Sequence, residues 1–173
     1  MIACIDVGYQ EKSALAACVT ISDWKASAPV ASHSVVIQNV EEYVPGLFYK
    51  RELPCIEAVL NDLGAKPDVI VIDGYVWLDA QGKKGLGAHL FELLNGEIPV
   101  IGVAKTSFAT ATNAIEVFRG QSSRPLWVTA IGTNEFDAAK LVRSMHGNHR
   151  IPTILTLVDR LSKSSSKTSP QTR

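Results

Sequence analysis

Two aspartates stand at matching positions in two apolar runs, Asp6 in Ile-Ala-Cys-Ile-Asp-Val-Gly-Tyr and Asp73 in Val-Ile-Val-Ile-Asp-Gly-Tyr. A carboxylate that closes a buried strand is costly to desolvate unless something neutralises it, and two of them on neighbouring strands call for a cation. Glu52, in the first turn of a predicted helix, supplies a third acid. Three carboxylates suit Mg²⁺ or Mn²⁺, which prefer oxygen ligands and retain some of their water. Lys105 follows the strand-like Ile101-Gly102-Val103-Ala104, where its ammonium could hold a phosphate oxygen or orient a water. Each residue also has a plainer reading when taken alone. Strand-end aspartates cap loops, a glutamate at a helix start answers the helix dipole, and most lysines are solvated surface charges.

The elements that must position these groups can be read from periodicity. Residues 2–7, 14–21 and 30–37 are rich in Val, Ile, Ala or Thr and are separated by polar stretches, which predicts an antiparallel meander. Pro45-Gly46 marks a tight turn and leaves Tyr43 near a loop tip. Ile56, Val59, Leu60 and Leu63 fall at helical spacing, predicting a helix over 51–63 that stops at Gly64 and tolerates Pro54 in its first turn. Strands at 68–72 and 99–103 then alternate with a helix at 86–94. A strand at 126–131 precedes a helix that starts near Thr133-Asn134 and carries Phe136, Ala139, Val142 and Met145. A last helix spans 153–161.

Three antiparallel strands, a helix and then strand–helix alternation describe an α/β fold, a mixed sheet with helices on both faces. That order is the one found in the ribonuclease H-like architecture. There the first strand lies beside the strand that follows the first helix, which sets Asp6 next to Asp73. We expect a single domain over residues 2–161 and a disordered Ser/Lys-rich tail over 162–173.

The chain has 173 residues, 46% of them hydrophobic and 20% charged, which is the composition of a globular domain with a substantial core. No apolar run approaches the ~20 residues of a membrane span, and the chain opens on a strand without a signal peptide, so we expect a cytoplasmic protein without membrane contact. Cys4, Cys18 and Cys55 are odd in number and lie among apolar residues, as small buried hydrophobes rather than a disulfide framework. Lys and Arg balance Asp and Glu at 17 each. Nucleic-acid binding would therefore rest on a local basic face and fall steeply with salt.

Four blocks in order resemble the endonuclease V family of inosine-directed nucleases. They are Ile5-Asp6-Val7-Gly8-Tyr9; Tyr43-Val44-Pro45-Gly46-Leu47 with Arg51-Glu52; Val71-Ile72-Asp73-Gly74 with Gly85-Leu86-Gly87-Ala88-His89-Leu90; and Ile101-Gly102-Val103-Ala104-Lys105. Arg150-Ile151-Pro152 and the helix after it resemble the family's closing segment. The resemblance implies a ribonuclease H-like fold and Mg²⁺-dependent cleavage, with Mn²⁺ as a substitute, one nucleotide 3′ to a deaminated purine in DNA or RNA. Asp6, Glu52 and Asp73 match the family's metal-binding acids, and Lys105 matches its active-site lysine. Tyr43 matches the tyrosine of a wedge that opens the duplex, and Val44, Pro45, Gly74 and Tyr75 complete the expected substrate-binding set. Tyr43 could instead pack on its own hairpin. Gly74 and the glycines at 82, 85 and 87 could let backbone approach an extruded base, or serve as ordinary turn residues.

Some positions depart from the family. Asp79 stands where a histidine is usual, either as a fourth oxygen ligand or as a loop charge. Tyr75-Val76-Trp77 replaces small or polar residues, so a base pocket of another shape is expected. Gly132-Thr133-Asn134-Glu135 stands in for a late basic turn, and His146 and His149 are expected at the surface rather than as its replacement. The sequence opens on the first strand, and we expect the helical extension of many members to be lacking. A nuclease with another target, and a weakly catalytic homologue that binds nucleic acid or protein, remain competing readings. A monomer acting on inosine-containing nucleic acid is the leading expectation.

Overall fold

The computed structural model describes residues 1–42, 44–110 and 113–164. Its elements are β1 (Ile2–Tyr9), β2 (Ser13–Ile21), β3 (Ala31–Gln38), α1 (Phe48–Asn61), β4 (Val69–Asp73), α2 (Leu86–Leu93), β5 (Val100–Ala104), β6 (Ile115–Val117), β7 (Leu126–Ile131), α3 (Glu135–Ser144) and α4 (Thr153–Ser162). The strands form one sheet in the order β3-β2-β1-β4-β5-β7-β6. β1, β2 and β3 pair antiparallel, β1-β4 and β4-β5 pair parallel, and β7 returns antiparallel to β5. This is the mixed ribonuclease H-like sheet expected from the order of elements.

Side chains alternate between the sheet's faces, and each face has its own core. Cys4, Val71, Val103 and Val128 pack on one side with Ala138 and Val142 of α3 and Ile154 and Val158 of α4. Ile5, Ile70 and Ile72 pack on the other with Cys55, Ile56 and Val59 of α1 and Leu86 and Leu90 of α2. Coverage on both faces explains why β1, β2, β4 and β5 read as nearly unbroken apolar runs. Edge strand β3 has one covered face and alternates between half-buried and exposed residues. All three cysteines are buried and free. Among the described residues no helix is long and apolar enough to cross a membrane.

Several boundaries differ from the sequence expectation for local physical reasons. α1 starts at Phe48, directly from the Pro45-Gly46 turn that Leu47 closes by donating to the Val44 carbonyl at 3.0 Å. Pro54 and Glu52 therefore lie inside the helix rather than in its first turn. The apolar stripe did not mark this start because Phe48 is 41% exposed. β6 went unread because three residues carry no periodicity. In α3, Asn134 caps the helix through the amides of Phe136 and Asp137, as expected, but Phe136 itself is exposed. α4 runs to Ser162, one residue into the segment expected to be tail; residues 165–173 of that segment lie outside the described residues.

Candidate active site

The parallel pairing of β1 with β4 ends at Ile5 and Ile72. The next residue on each strand is Asp6 and Asp73, so the two acids stand side by side where neighbouring strands, about 4.8 Å apart, begin to part. Because residues two apart share a face, Asp6 follows Cys4, Asp73 follows Val71 and Lys105 follows Val103 toward the layer of α3 and α4. Gly74 takes φ 135°, a conformation open to glycine, and turns the chain away directly after Asp73.

α4 meets this edge with Asp159 and Ser162, three residues apart and so on one helical face. Ser162 donates its hydroxyl hydrogen to Asp6 Oδ2 at 2.6 Å. Lys105 Nζ donates to Asp73 Oδ2 at 2.6 Å and to Asp159 Oδ1 at 2.8 Å, while Lys163 Nζ holds Asp159 from the other side at 2.8 Å. The loop leading into α4 is secured by two arginines. Arg119 donates to the carbonyls of Met145, Gly147 and His149, and Arg150 to those of Lys105 and Pro125.

Glu52 arrives from the opposite layer on α1. It is only 6% exposed, and its Oε2 has no hydrogen-bond partner among the described residues; the Tyr9 hydroxyl and Arg51 Nε are likewise buried and unpartnered among them. The Arg51 guanidinium lies 3.7 Å from the Tyr9 ring centroid, a cation–π contact. Burial, reinforced by the charges of Asp6 and Asp73 and partly offset by Arg51, pushes the Glu52 carboxyl up to about 9. Burial also raises Asp6, and Asp73 adds to that, while the Ser162 hydroxyl works against it. For Lys105, burial favours the neutral amine, but hydrogen bonds to Asp159 and Asp73 outweigh it and hold the ammonium above its usual range. For Asp159, burial opposes ionisation and the bonds from Lys105 and Lys163 overcome it.

These groups line one cleft of about 510 Å³ that contains Asp6, Glu52, Asp73, Asp159, Lys105 and Lys163. Four carboxyls against two ammonium groups leave two negative charges uncompensated when all are ionised. An all-oxygen set of carboxyls that includes an orphaned buried Glu52 oxygen matches the donor chemistry of Mg²⁺ or Mn²⁺. Among the described residues, however, no group of three or more His, Cys, Asp or Glu side chains is arranged to hold a metal ion as it stands. Lys105 stands between two of the acids, and Glu52 approaches from the other side of the sheet.

An aromatic pocket of about 360 Å³ shares Asp73 and Gly74 with the cleft and is walled by Phe48, Tyr49, Tyr75 and Phe108. Tyr75 fixes the segment after Lys105, since its hydroxyl donates to the Thr106 carbonyl at 2.7 Å and accepts from the Phe108 amide at 3.1 Å. The rest of the Tyr75-Val76-Trp77 run is an anchor to β7. The Val76 amide donates to Thr129 Oγ1 at 2.8 Å and the Trp77 indole to the Ala130 carbonyl at 3.1 Å.

The structure separates the sequence candidates. Asp6, Glu52, Asp73 and Lys105 share the cleft, and Gly74 and Tyr75 line both cleft and pocket. Val44 and Pro45 lie exposed on the approach to the pocket, where Gly46 is the lining residue; Tyr43 lies outside the described residues. Asp79 is not in the cleft. Its Oδ1 accepts from the amides of Gln81 and Lys83 at 3.0 and 2.8 Å, the local cap of a turn. Gly85 and Gly87 serve packing within the chain, because a Cβ on either would collide with Tyr75 or Val76. His146 and His149 are exposed, as expected.

Sequence reading missed Asp159, Ser162 and Phe108. The available signal was weak. An aspartate between Val158 and Arg160 on an amphipathic helix has the pattern of a solvated face, and only its place in the closing segment singles it out.

Comparison with known proteins places these residues in a wider group. The family model described as Endonuclease V matches residues 1–151. Endonuclease V of Streptomyces coelicolor is 37% identical over 120 residues, which cover 69% of this chain and 50% of that protein. Endonuclease V of Xanthomonas axonopodis pv. citri is 33% identical over 110 residues, 63% of this chain and 45% of that one. The chain thus spans about half the length of these relatives. Among solved structures, endonuclease V of Streptomyces avermitilis superposes with a TM-score of 0.75 at 25% identity, covering 94% of this chain and 79% of that one. Endonuclease V of Ciona intestinalis, crystallised with a 23mer DNA containing an inosine followed by a ribo-adenosine, has the same fold, with a TM-score of 0.80 at 20% identity over 94% of this chain and 83% of that one. Paired strand-end acids, the lysine beside them, the sheet that sets them together and the match over residues 1–151 lead to one conclusion: this chain belongs to the endonuclease V family.

Proposed function

We propose that the protein is a Mg²⁺-dependent endonuclease that hydrolyses a phosphodiester on the 3′ side of inosine in DNA or RNA, with Mn²⁺ able to substitute. The observation that carries this reading is the carboxyl-rich cleft, in which buried Glu52 and strand-paired Asp6 and Asp73 face a lysine. Asp6, Asp73, Glu52 and Asp159 are the residues that would hold the cation. When bound, a divalent ion supplies Lewis-acid stabilisation of the scissile phosphate and a water of lowered pKa.

The chain's own groups do the remaining work. Lys105 Nζ keeps its proton across the physiological range and can donate an N–H to a non-bridging phosphate oxygen, stabilising the charge that builds in the transition state. The aromatic pocket beside Asp73 offers Phe48, Tyr75 and Phe108 as faces for a planar base taken out of its stack, which costs a few kcal/mol. Because pocket and cleft share Asp73 and Gly74, a base in one places its own backbone at the other. The resemblance assigns the opening of the duplex to Tyr43, and a monomer suffices for this arrangement.

The test is to incubate the protein with single- and double-stranded DNA and RNA oligonucleotides carrying one inosine, beside unmodified controls, in Mg²⁺ and in Mn²⁺. We expect nicking 3′ to inosine that is abolished by Asp6→Ala and by Asp73→Ala. Cutting indifferent to inosine would remove the substrate assignment, and no product with either metal would remove the nuclease reading.

A further inference from the structure

We infer that Ser162 is a positioning residue for the cation site: its hydroxyl locks the Asp6 carboxylate so that one oxygen is held by α4 and the other is left to the cleft. The inference rests on the metal-dependent reading above. Nothing in the sequence marks this serine, which lies 156 positions from its partner.

The geometry is enforced from both elements. On β1, Asp6 and Gly8 are two residues apart and present the same face to α4. A Cβ on Gly8 would fall 2.1 Å from the Ser162 carbonyl oxygen, so the missing side chain is what lets the end of α4 press against the strand. Ser162 is 3% exposed at that contact. On α4, Asp159 lies one turn earlier on the same face, so a single helix brings both an acid held by Lys105 and a hydroxyl that orients Asp6. The 2.6 Å bond ends on a carboxylate, an acceptor that strengthens a hydroxyl donor. The Ser162 oxygen also lies 2.9 Å from the Asp159 carbonyl, a second acceptor for the hydroxyl's one hydrogen, but the charged partner takes precedence. Asp6 Oδ1 has no hydrogen bond among the described residues, and Asp6 lines the cleft. A carboxylate fixed in this way loses less rotamer freedom when it takes up a ligand, which is how partners behind a metal ligand raise affinity, typically by 10- to 100-fold.

The experiment measures Mn²⁺ binding to the metal-free full chain by isothermal titration calorimetry, without nucleic acid, for wild type, Ser162→Ala and Ser162→Thr. Ser162→Ala is expected to weaken Mn²⁺ about 10-fold while keeping the wild-type circular dichroism spectrum, and Ser162→Thr, which keeps the hydroxyl, to restore affinity to within about threefold. Ser162→Cys, of similar size and with a weak donor, takes the place of Ser162→Ala if that variant does not fold, with the same loss expected. Wild-type affinity in the variant lacking a good donor overturns the inference and leaves the nuclease reading intact. Equal loss in Ser162→Ala and Ser162→Thr also overturns it, because packing rather than the hydroxyl would then be responsible. Failure of wild type to bind Mn²⁺ overturns both the inference and the metal-dependent reading.

Discussion

Replacing Glu52 by glutamine should stabilise the metal-free protein while destroying its activity, and the size of the gain follows from the burial of the carboxyl. Glu52 is 6% exposed, its Oε2 has no partner among the described residues, and its pKa is pushed up to about 9 by burial and by Asp6 and Asp73. The sign is set by linkage. Above the unfolded value of 4.5 the unfolded chain has released this proton and the folded protein still holds it, so stability falls as pH rises from 4.5 to about 9. The slope for one group is at most ~1.4 kcal/mol per pH unit, which gives at most about 4 kcal/mol between pH 4.5 and 7.5. Water reaching the cleft relaxes part of this field, and we expect about 2 kcal/mol to be recovered at pH 7.5 by a neutral residue of the same shape. At roughly 2–4 °C per kcal/mol for a chain of this size, Glu52→Gln should melt about 4–8 °C above wild type at pH 7.5. At pH 4.5 the two should coincide within about 2 °C. Thermal melts in EDTA at both pH values read the difference directly. Adding Mn²⁺ should then raise the wild-type melting temperature more than that of Glu52→Gln, since a cation repays only the charged site. A Glu52→Gln protein that melts below wild type at pH 7.5, or a gain that does not change with pH, would refute the reasoning.

Lys105→Met should lower kcat by about 100-fold or more without weakening Mn²⁺, because it removes a competing charge from Asp73 and Asp159; single-turnover cleavage and calorimetry separate the two effects. Asp79→Ala should leave Mn²⁺ affinity and cleavage within about twofold of wild type and cost about 1 kcal/mol in urea unfolding, the worth of a local cap; a lost metal site would restore Asp79 as a ligand. Phe108→Ala should raise KM for an inosine oligonucleotide about 10-fold with kcat little changed, since stacking on one aromatic contributes ~1–3 kcal/mol; an unchanged KM would place the base elsewhere. Arg119→Met should destabilise the protein by about 3 kcal/mol or more in urea unfolding, because the carbonyls of Met145, Gly147 and His149 lose a buried charged donor.

How much of this was legible in the chain can be judged residue by residue. The apolar runs ending in Asp6 and Asp73 were readable because strands covered on both faces admit little but Val, Ile and Ala, and an acid at their end stands out. The order of elements led to the sheet and thus to the adjacency of the two acids, which the register confirms at Ile5 and Ile72. Glu52 was singled out because the first helix packs beside the central strands, and it does share the cleft with Asp6 and Asp73. What was misplaced is its position in the helix, since α1 starts at Phe48 and Glu52 lies buried beyond the first turn. Asp79 was left open between a fourth oxygen ligand and a loop charge, and its turn geometry assigns it to its own backbone.

Sequence alone determined which strands are buried, where they end in charge, and which family the chain resembles. These are local properties, written in side-chain period and in residues whose burial would be costly. Only the tertiary structure decided that α4 brings Asp159 and Ser162 to the cleft, that Gly8 makes room for it, and that Lys105 bridges two acids from different elements. Those pairings join residues up to 156 positions apart, and a helix carrying Asp, Arg and Lys looks like any solvated helix until the sheet edge it packs against is known.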